Sequence, residues 1–172
     1  MKKIGLNTEG NWYKGNLHTH STNSDGRITP AEIVRIYKDH GYQFLAFTEH
    51  ELYTHNRELS NKDFLVLPGV ELSCNNPDPW RIYHILGIGR HAAGEQPSAE
   101  NGFSDKQRFP VRKWEDLGSV QTVLDEIWQA GNLAVFNHPI WSRLELTDFI
   151  DLDGYFAMEI YNYGCAVESH TG

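Results

Sequence analysis

The chain has 172 residues, of which 15 are Lys or Arg, 23 are Asp or Glu and nine are His, so its net charge is −8. The length favours one domain that can bury a core without disulfide bridges, and the 40% hydrophobic content excludes a disordered chain. The acidic balance argues against nucleic acid as a partner, because that affinity comes from Lys and Arg on phosphates.

The N-terminal part of the sequence predicts a short strand followed by a helix. The strand covers residues 16–20. Thr29 is a predicted N-cap, Pro30 takes the first helical position and Glu32 completes a capping box. Apolar residues then recur at helical spacing, and Gly41 is placed to end the helix.

Apolar runs and helical patterns alternate along the rest of the chain. Further strands are predicted at 44–47, at 64–67 resuming with Val70, at 82–88, at 133–136 and at 155–161. A second helix is predicted over 119–130, weaker helical character at 146–150, and a long surface loop over 90–117. This alternation predicts parallel strands joined by helical crossovers. We expect an α/β barrel or part of one, with an open doubly wound sheet as the alternative.

Histidine and acidic residues follow the predicted strands in a recurring way. The residues concerned are His18, His20, Asp25, Glu49, His50, Glu71, His84 and His138. In a parallel barrel the strand ends meet at one face, which is where barrel enzymes carry their active sites. Imidazoles and carboxylates together are ligands for Zn, Mn or Fe.

The candidates differ in strength. His18 and His20 are two residues apart, so on a strand they face the same side and could contact one cation. Glu49 is equally well interpreted as a side chain that supports a ligand or as an N-cap, and His84 lies inside its strand rather than at its end. The remaining histidines, which we interpret as ordinary surface or capping residues, are His40, His55, His91 and His170.

Together these motifs resemble those of the polymerase and histidinol phosphatase (PHP) family. The matching segments are Asn16-Leu17-His18-Thr19-His20-Ser21, Ser24-Asp25-Gly26, Phe47-Thr48-Glu49-His50, Pro68-Gly69-Val70-Glu71 and Asn137-His138-Pro139. They span nearly the whole chain, from about Asn16 to Asn162. Each motif is short, but their combination and order are specific.

The resemblance implies a distorted (β/α)7 TIM-like barrel with a trinuclear metal centre at its C-terminal face. We expect two or three divalent metal ions, Zn, Mn or Fe. It implies phosphoesterase activity on a small phosphorylated molecule or nucleotide, through a hydroxide that bridges the metals. It assigns metal-ligand roles to His18, His20, Asp25, His50, Glu71, His84 and His138.

Two departures from the family pattern affect these expectations. The family usually has Thr-Asp-His where this chain has Thr48-Glu49-His50, which leaves Glu49 as a supporting residue or a ligand. The family also has an Asp-x-His motif on a last strand, and this sequence contains none. We therefore expect residues 1–172 to form a single PHP-like domain that lacks its C-terminal strand or strands. The oligomeric state stays open.

Two other functions fit the same residues. Amidohydrolases use similar His and carboxylate sets on amides and lactones, and a chain without the last ligands could be a non-catalytic or regulatory metal-binding domain. No signal peptide or membrane span is visible, and Cys74 and Cys165 form no CxxC pair. These features predict a cytoplasmic protein without a membrane partner.

Overall fold

The computed structural model describes residues 9–76, 80–90 and 102–170, which have a mixed α/β fold. In chain order the elements are β1 (Gly15–Asn16), α1 (Pro30–Asp39), β2 (Phe44–Ala46), β3 (Leu52–Tyr53), β4 (Leu65–Leu67), β5 (Gly69–Asn75), β6 (Ile82–Gly89), β7 (Gln107–Arg108), β8 (Arg112–Lys113), α2 (Leu117–Gln129), β9 (Asn132–Phe136), β10 (Tyr155–Met158) and α3 (Tyr163–Ser169).

Helix α1 begins as the sequence predicts. The Thr29 side chain accepts a hydrogen bond from the backbone N–H of Glu32, and the Glu32 carboxylate accepts one from the Thr29 N–H. Gly41 follows the helix with a φ of 76°, a left-handed conformation that glycine adopts without steric cost. Ile33 and Val34 are buried against β2 and β4 side chains, which fixes the helix on one face of its sheet.

Helix α2 begins slightly earlier than predicted, because its N-cap is Asp116 rather than a later residue. The Asp116 carboxylate accepts hydrogen bonds from the backbone N–H and the hydroxyl of Ser119. The apolar face of the helix is fully buried in the main hydrophobic cluster. Its members on α2 are Val120, Val123, Leu124 and Ile127.

The strands form one parallel and one mixed sheet, with a further two-stranded ribbon. The first sheet has the order β1-β2-β4 and is parallel throughout. The second has the order β10-β9-β6-β5-β8, and within it β6 runs antiparallel to both β5 and β9. The expectation of parallel strands throughout is therefore wrong. Only residues 76–81 separate β5 from β6, too few for a helical crossover, which needs a dozen or more.

The mixed α/β class is confirmed, but the described strands do not close into a barrel. The chain passes from the first sheet to the second at Pro68, between β4 and β5. A small apolar cluster connects the two sheets, with Ala46 on β2, Leu86 and Ile88 on β6, and Val135 on β9. The sheets therefore share an interior even though no hydrogen-bonded ring joins them in the described ranges.

The expected surface loop over 90–117 is wrong for the part that can be described. Residues 91–101 lie outside the described residues. Beyond them, Phe103 and Phe109 are buried in the main cluster, and β7 and β8 pair with β3 and β5. Two-residue strands and isolated buried aromatics produce no periodic pattern, which explains why the sequence does not reveal them.

The two ends of the fold also differ in detail from expectation. β1 ends at Asn16, so His18 and His20 follow the strand instead of lying on it. β10 ends at Met158, before the predicted end of the strand at 161. Helix α3, which the sequence does not predict, follows from Tyr163, and the Asn162 side chain accepts a hydrogen bond from the Cys165 N–H. The weak helical pattern near 146 is a short 3-10 turn. None of the described helices is long and apolar enough to cross a bilayer.

We expect Thr29→Ala to lower the free energy of unfolding by about 1 kcal/mol, because it removes the side-chain cap of α1. Urea denaturation followed by circular dichroism measures this change. Thr29→Ser keeps the hydroxyl and is the matched control, with stability close to that of the unmodified chain. An equal loss in both variants would show that the cap does not stabilise the helix.

Candidate metal centre

The candidate ligands come together because the ends of several strands lie at one edge of the fold. Beyond β1, the Thr19 N–H donates to the Thr48 hydroxyl at 3.0 Å, and the Thr48 N–H donates to the Thr19 carbonyl at 2.9 Å. This pairing aligns the segment carrying His18 and His20 with the segment carrying His50. The strand order thus brings residues distant in sequence to one place.

Glu71 lies at the centre of the site, on β5, and is 1% exposed. Its Oε2 atom is 3.2 Å from His18 Nε2, 3.0 Å from His20 Nε2 and 3.4 Å from His50 Nδ1. A carboxylate buried this deeply is costly unless charges or hydrogen bonds compensate it. Nitrogen atoms of three imidazoles therefore lie within ion-pairing distance of one carboxylate oxygen.

The second oxygen of Glu71 faces a separate set of residues. Oε1 is 3.2 Å from His84 Nδ1 and 3.3 Å from His138 Nε2, and it accepts a hydrogen bond from the Asn137 amide at 2.8 Å. His84 reaches the site from near the beginning of β6, because that strand runs antiparallel to its neighbours. Its position inside the predicted strand is thereby explained.

Two groups of side chains have the geometry to hold a cation. In His18, Glu71 and His138, and again in His20, His50 and Glu71, the ligand atoms lie within 4.8 Å of one another. Glu71 belongs to both groups, so its carboxylate could bridge two ions. The donors are imidazoles and a buried carboxylate, a set that fits Zn, Mn or Fe better than Ca or Mg.

Asp25 lies at the edge of the second group, where it is largely exposed. Its Oδ1 is 3.3 Å from His20 Nδ1, and its Oδ2 is 3.5 Å from His50 Nε2. The turn before it is tight: the Gly26 N–H donates to the Ser21 carbonyl at 2.9 Å, and a Cβ at Gly26 would lie 2.6 Å from the His20 carbonyl oxygen. Only glycine fits this close approach.

Charge governs the ionisation of the site in the metal-free protein. Burial alone would lower the pKa of His18, but the charge of Glu71 and hydrogen bonds to Glu159 and Glu71 outweigh it and raise that pKa to about 10. Burial alone would raise the pKa of Glu71, but the surrounding imidazoles hold it well below its usual value. Burial lowers the pKa of His50. The centre therefore attracts positive charge to an anionic core.

Glu49 is fully buried and supports the turn that carries His20 and Asp25. Its carboxylate accepts hydrogen bonds from the backbone N–H of Ser21, with both oxygens at 3.1 Å, and from the hydroxyls of Ser21 and Ser24. Glu49 is not part of either cation group. This geometry corresponds to the supporting alternative that the sequence left open for it.

Glu159 and Asn137 contact the candidate ligands, and the sequence reasoning did not select either. Glu159 bonds to His18 Nδ1 at 3.1 Å and accepts from the His138 N–H at 3.1 Å. The sequence does contain a signal for Glu159, because this residue directly follows β10, as the other candidates follow their strands. Asn137 had a weaker signal, its position next to His138.

The histidines interpreted as ordinary residues lie away from the cluster where they are described. His40 caps α1 and its Nδ1 is 2.8 Å from the Ile36 carbonyl, His55 packs edge-on against Tyr53, and His170 follows α3. His91 lies outside the described residues.

The site opens into a cleft of about 1020 Å³. Trp141 forms part of its wall, with its ring 4.9 Å from the ring of His138 and 5.4 Å from that of His84. Arg27 also lines the cleft, close in sequence to Asp25. A small anionic substrate would therefore meet the candidate ligands, an aromatic wall and a cation.

Comparison with known proteins supports the resemblance that the sequence motifs carry. No family model matches the chain. The chain is 31% identical over 119 residues to a phosphoribosyl 1,2-cyclic phosphate 1,2-diphosphodiesterase from Eggerthella lenta, an alignment covering 67% of this chain and 42% of the relative. The chain thus spans less than half the length of that relative.

Two solved structures share the fold. A candidate metal-dependent phosphoesterase from Bifidobacterium adolescentis has a TM-score of 0.60 at 16% identity, covering 86% of this chain and 77% of its own. An amidohydrolase from Chromobacterium violaceum, with bound sulfate and no metal, has a TM-score of 0.55 at 18% identity, covering 84% and 76%. The relative from Eggerthella lenta bears out the resemblance to the PHP family that the motifs carry, and the two solved structures show that the fold is shared.

We predict that Glu71→Gln reduces bound metal from two equivalents towards none, because both cation groups use this carboxylate. His50→Ala should remove one equivalent, since it belongs to one group only. Elemental analysis after loading with Mn²⁺ and desalting measures the content. His55→Ala, outside the cluster, is the control and should keep both equivalents. Retention of two equivalents by Glu71→Gln would contradict a shared carboxylate.

Proposed function

We propose that the chain is a metal-dependent phosphoesterase that acts on a small phosphorylated molecule or nucleotide. The observation that carries the proposal is the sharing of one buried carboxylate, Glu71, by two groups of histidines at the floor of an open cleft. Two cations held a short distance apart are a recurring arrangement in enzymes that cleave phosphate esters. The names of the Eggerthella lenta relative and the Bifidobacterium adolescentis structure support the same class.

We assign the ligands from the geometry of the cluster. His18, His138 and Glu71 would hold one cation, and His20, His50 and Glu71 would hold a second. Asp25 and His84 contact the same set and would complete the coordination, leaving room for two or three ions in all. Divalent Zn, Mn or Fe bound here would supply Lewis acidity, which lowers the pKa of water and neutralises charge on phosphoryl oxygens.

The residues around the ligands would orient the substrate. Arg27 offers a guanidinium to a phosphoryl group, and guanidinium groups match the geometry of phosphate oxygens. The Trp141 ring packs edge-on against the imidazole of His138 and at a tilt against that of His84, and would cover that side of the site. Glu49 keeps the turn bearing His20 in place through its hydrogen bonds to Ser21.

The fold proposal accompanies the functional one. We propose that the two larger sheets belong to a distorted (β/α)7 barrel within a single domain, and the apolar cluster that joins β2 to β6 and β9 supports this. For the cellular location we propose the cytoplasm, which the free cysteines Cys74 and Cys165 favour.

An amidohydrolase is the second candidate, supported by the fold shared with the Chromobacterium violaceum structure. A panel of chromogenic phosphate esters beside a panel of amides and lactones, each with added Mn²⁺, separates the two functions. Turnover of amides alone would exclude the phosphoesterase. Stoichiometric metal without turnover on either panel would favour a non-catalytic metal-binding domain instead.

We predict that His18→Ala lowers metal content and phosphoester hydrolysis together. The rate should fall by at least about 100-fold, because loss of a ligand costs more than the 10–100-fold typical of a residue that only supports one. His170→Ala is the control, since His170 lies beyond α3, and it should change neither quantity. Full activity of His18→Ala with unchanged metal would mean that this imidazole is structural.

A further inference from the structure

Glu159 lies one residue beyond β10, at the edge where the candidate ligands meet. Its backbone N–H donates to the Phe136 carbonyl at 2.8 Å, which extends the pairing of β10 with β9 past the last residue of β10. Its carboxylate is 17% exposed and lines the cleft. The side chain is thus carried to the site by the strand that neighbours the His138 strand.

The two oxygens of Glu159 contact two residues of the same cation group. Oε1 is 3.1 Å from His18 Nδ1, and Oε2 accepts from the His138 backbone N–H at 3.1 Å. His18 and His138 form one group with Glu71. Among the described residues, the hydrogen bonds of this carboxylate go to His18, His138 and Asn162, and none goes to the group of His20 and His50.

The contact with His18 favours the tautomer that a metal site needs. A carboxylate at Nδ1 keeps the proton on that nitrogen. Nε2, which lies 3.2 Å from Glu71, is then the nitrogen whose proton a cation would displace. Imidazoles that bind metals commonly donate their second N–H to a carboxylate, which orients the ring and raises its basicity. Glu159 has this relation to His18.

Asn162 holds the Glu159 carboxylate in its orientation. The Asn162 amide N–H group lies 3.1 Å and 3.2 Å from the two oxygens, while its carbonyl oxygen accepts from the Cys165 N–H at the start of α3. Asn162 is therefore fixed by the helix that it caps. The carboxylate is bound by side-chain and backbone donors from three separate segments.

We infer that Glu159 is a positioning residue that supports one of the two cation sites, the one formed by His18, Glu71 and His138. Glu49 provides the matched contrast, because its hydrogen bonds hold the turn that carries His20, a member of the other group. Each site then has a supporting carboxylate of its own outside the ligand set. The inference rests on the proposed metal centre and adds that a different carboxylate supports each of its two cation sites.

The experiment titrates metal-free protein with Co²⁺ or Mn²⁺ and measures the affinity of each equivalent by calorimetry, with the Co²⁺ absorption spectrum as a second readout. We expect Glu159→Gln to weaken one equivalent by about 10–100-fold and to leave the other unchanged. Glu49→Gln should weaken the complementary equivalent. Glu159→Asp, which retains the charge, should recover part of the lost affinity.

Double variants identify which site is affected. In a His50→Ala background only the His18 site remains, and Glu159→Gln should weaken that remaining equivalent. In a His18→Ala background Glu159→Gln should add little, since residues that act together are not additive. Glu168→Gln also removes a negative charge from the cleft lining, on α3, and should leave both equivalents unchanged.

Three outcomes would overturn the inference. They are equal weakening of both equivalents, no weakening of either, or an unmodified chain that binds no cation. Thermal unfolding of each metal-free variant tests folding, and a merely structural role would lower stability without selecting one equivalent. Failure of the proposed function is distinguishable, because a chain that binds two cations without hydrolysing phosphoesters would leave the selective effect of Glu159→Gln measurable.

Discussion

The buried carboxylate of Glu71 is the constraint on which the site depends. Five imidazoles lie within hydrogen-bonding or ion-pairing distance of its two oxygens. Such a group is stable in the interior only with positive charge beside it, which protons on histidines or bound cations can supply. Backbone geometry makes its position possible, because a Cβ at Gly69 would lie 2.8 Å from the Phe47 carbonyl oxygen. The glycine two residues before Glu71 thus allows β5 to approach the segment that carries His50.

Strand direction is the second feature that determines the geometry of the site. It also separates the parts of the fold that the sequence predicts from those that it does not. Helix α1 is predictable in detail, since the cap at Thr29 and the stop at Gly41 are local signals. The antiparallel course of β6 is not, because periodicity carries no information on direction. The direction of β6 determines where His84 lies. His84 is near the start of its strand, and it still reaches the edge where the other candidate ligands follow the ends of their strands.

The recurrence of polar residues after strands predicts that the candidate ligands lie near one another, because it depends on topology more than on element boundaries. His18 and His20 lie beyond β1 and not on it, yet their Nε2 atoms are 3.0 Å apart. Glu159 obeys the same rule, and it was missed because histidines dominate the pattern on the other strands. The buried Phe103 and Phe109 follow no such rule, since tertiary contacts alone decide their burial.

The distribution of acidic groups connects the site to the negative charge of the chain. Neutral imidazoles contribute no charge against bound cations, so carboxylates must provide it. Glu71 and Asp25 are the carboxylates of the cluster itself, while Glu49 and Glu159 form hydrogen bonds to residues that carry the ligands. Because Glu49 and Glu159 belong to neither cation group, the charge of two divalent cations would exceed that of the carboxylates within the cluster, and the doubly occupied centre would keep a positive potential. An anionic ester entering beside Arg27 would meet that potential, so an acidic protein can still present a site that favours phosphate.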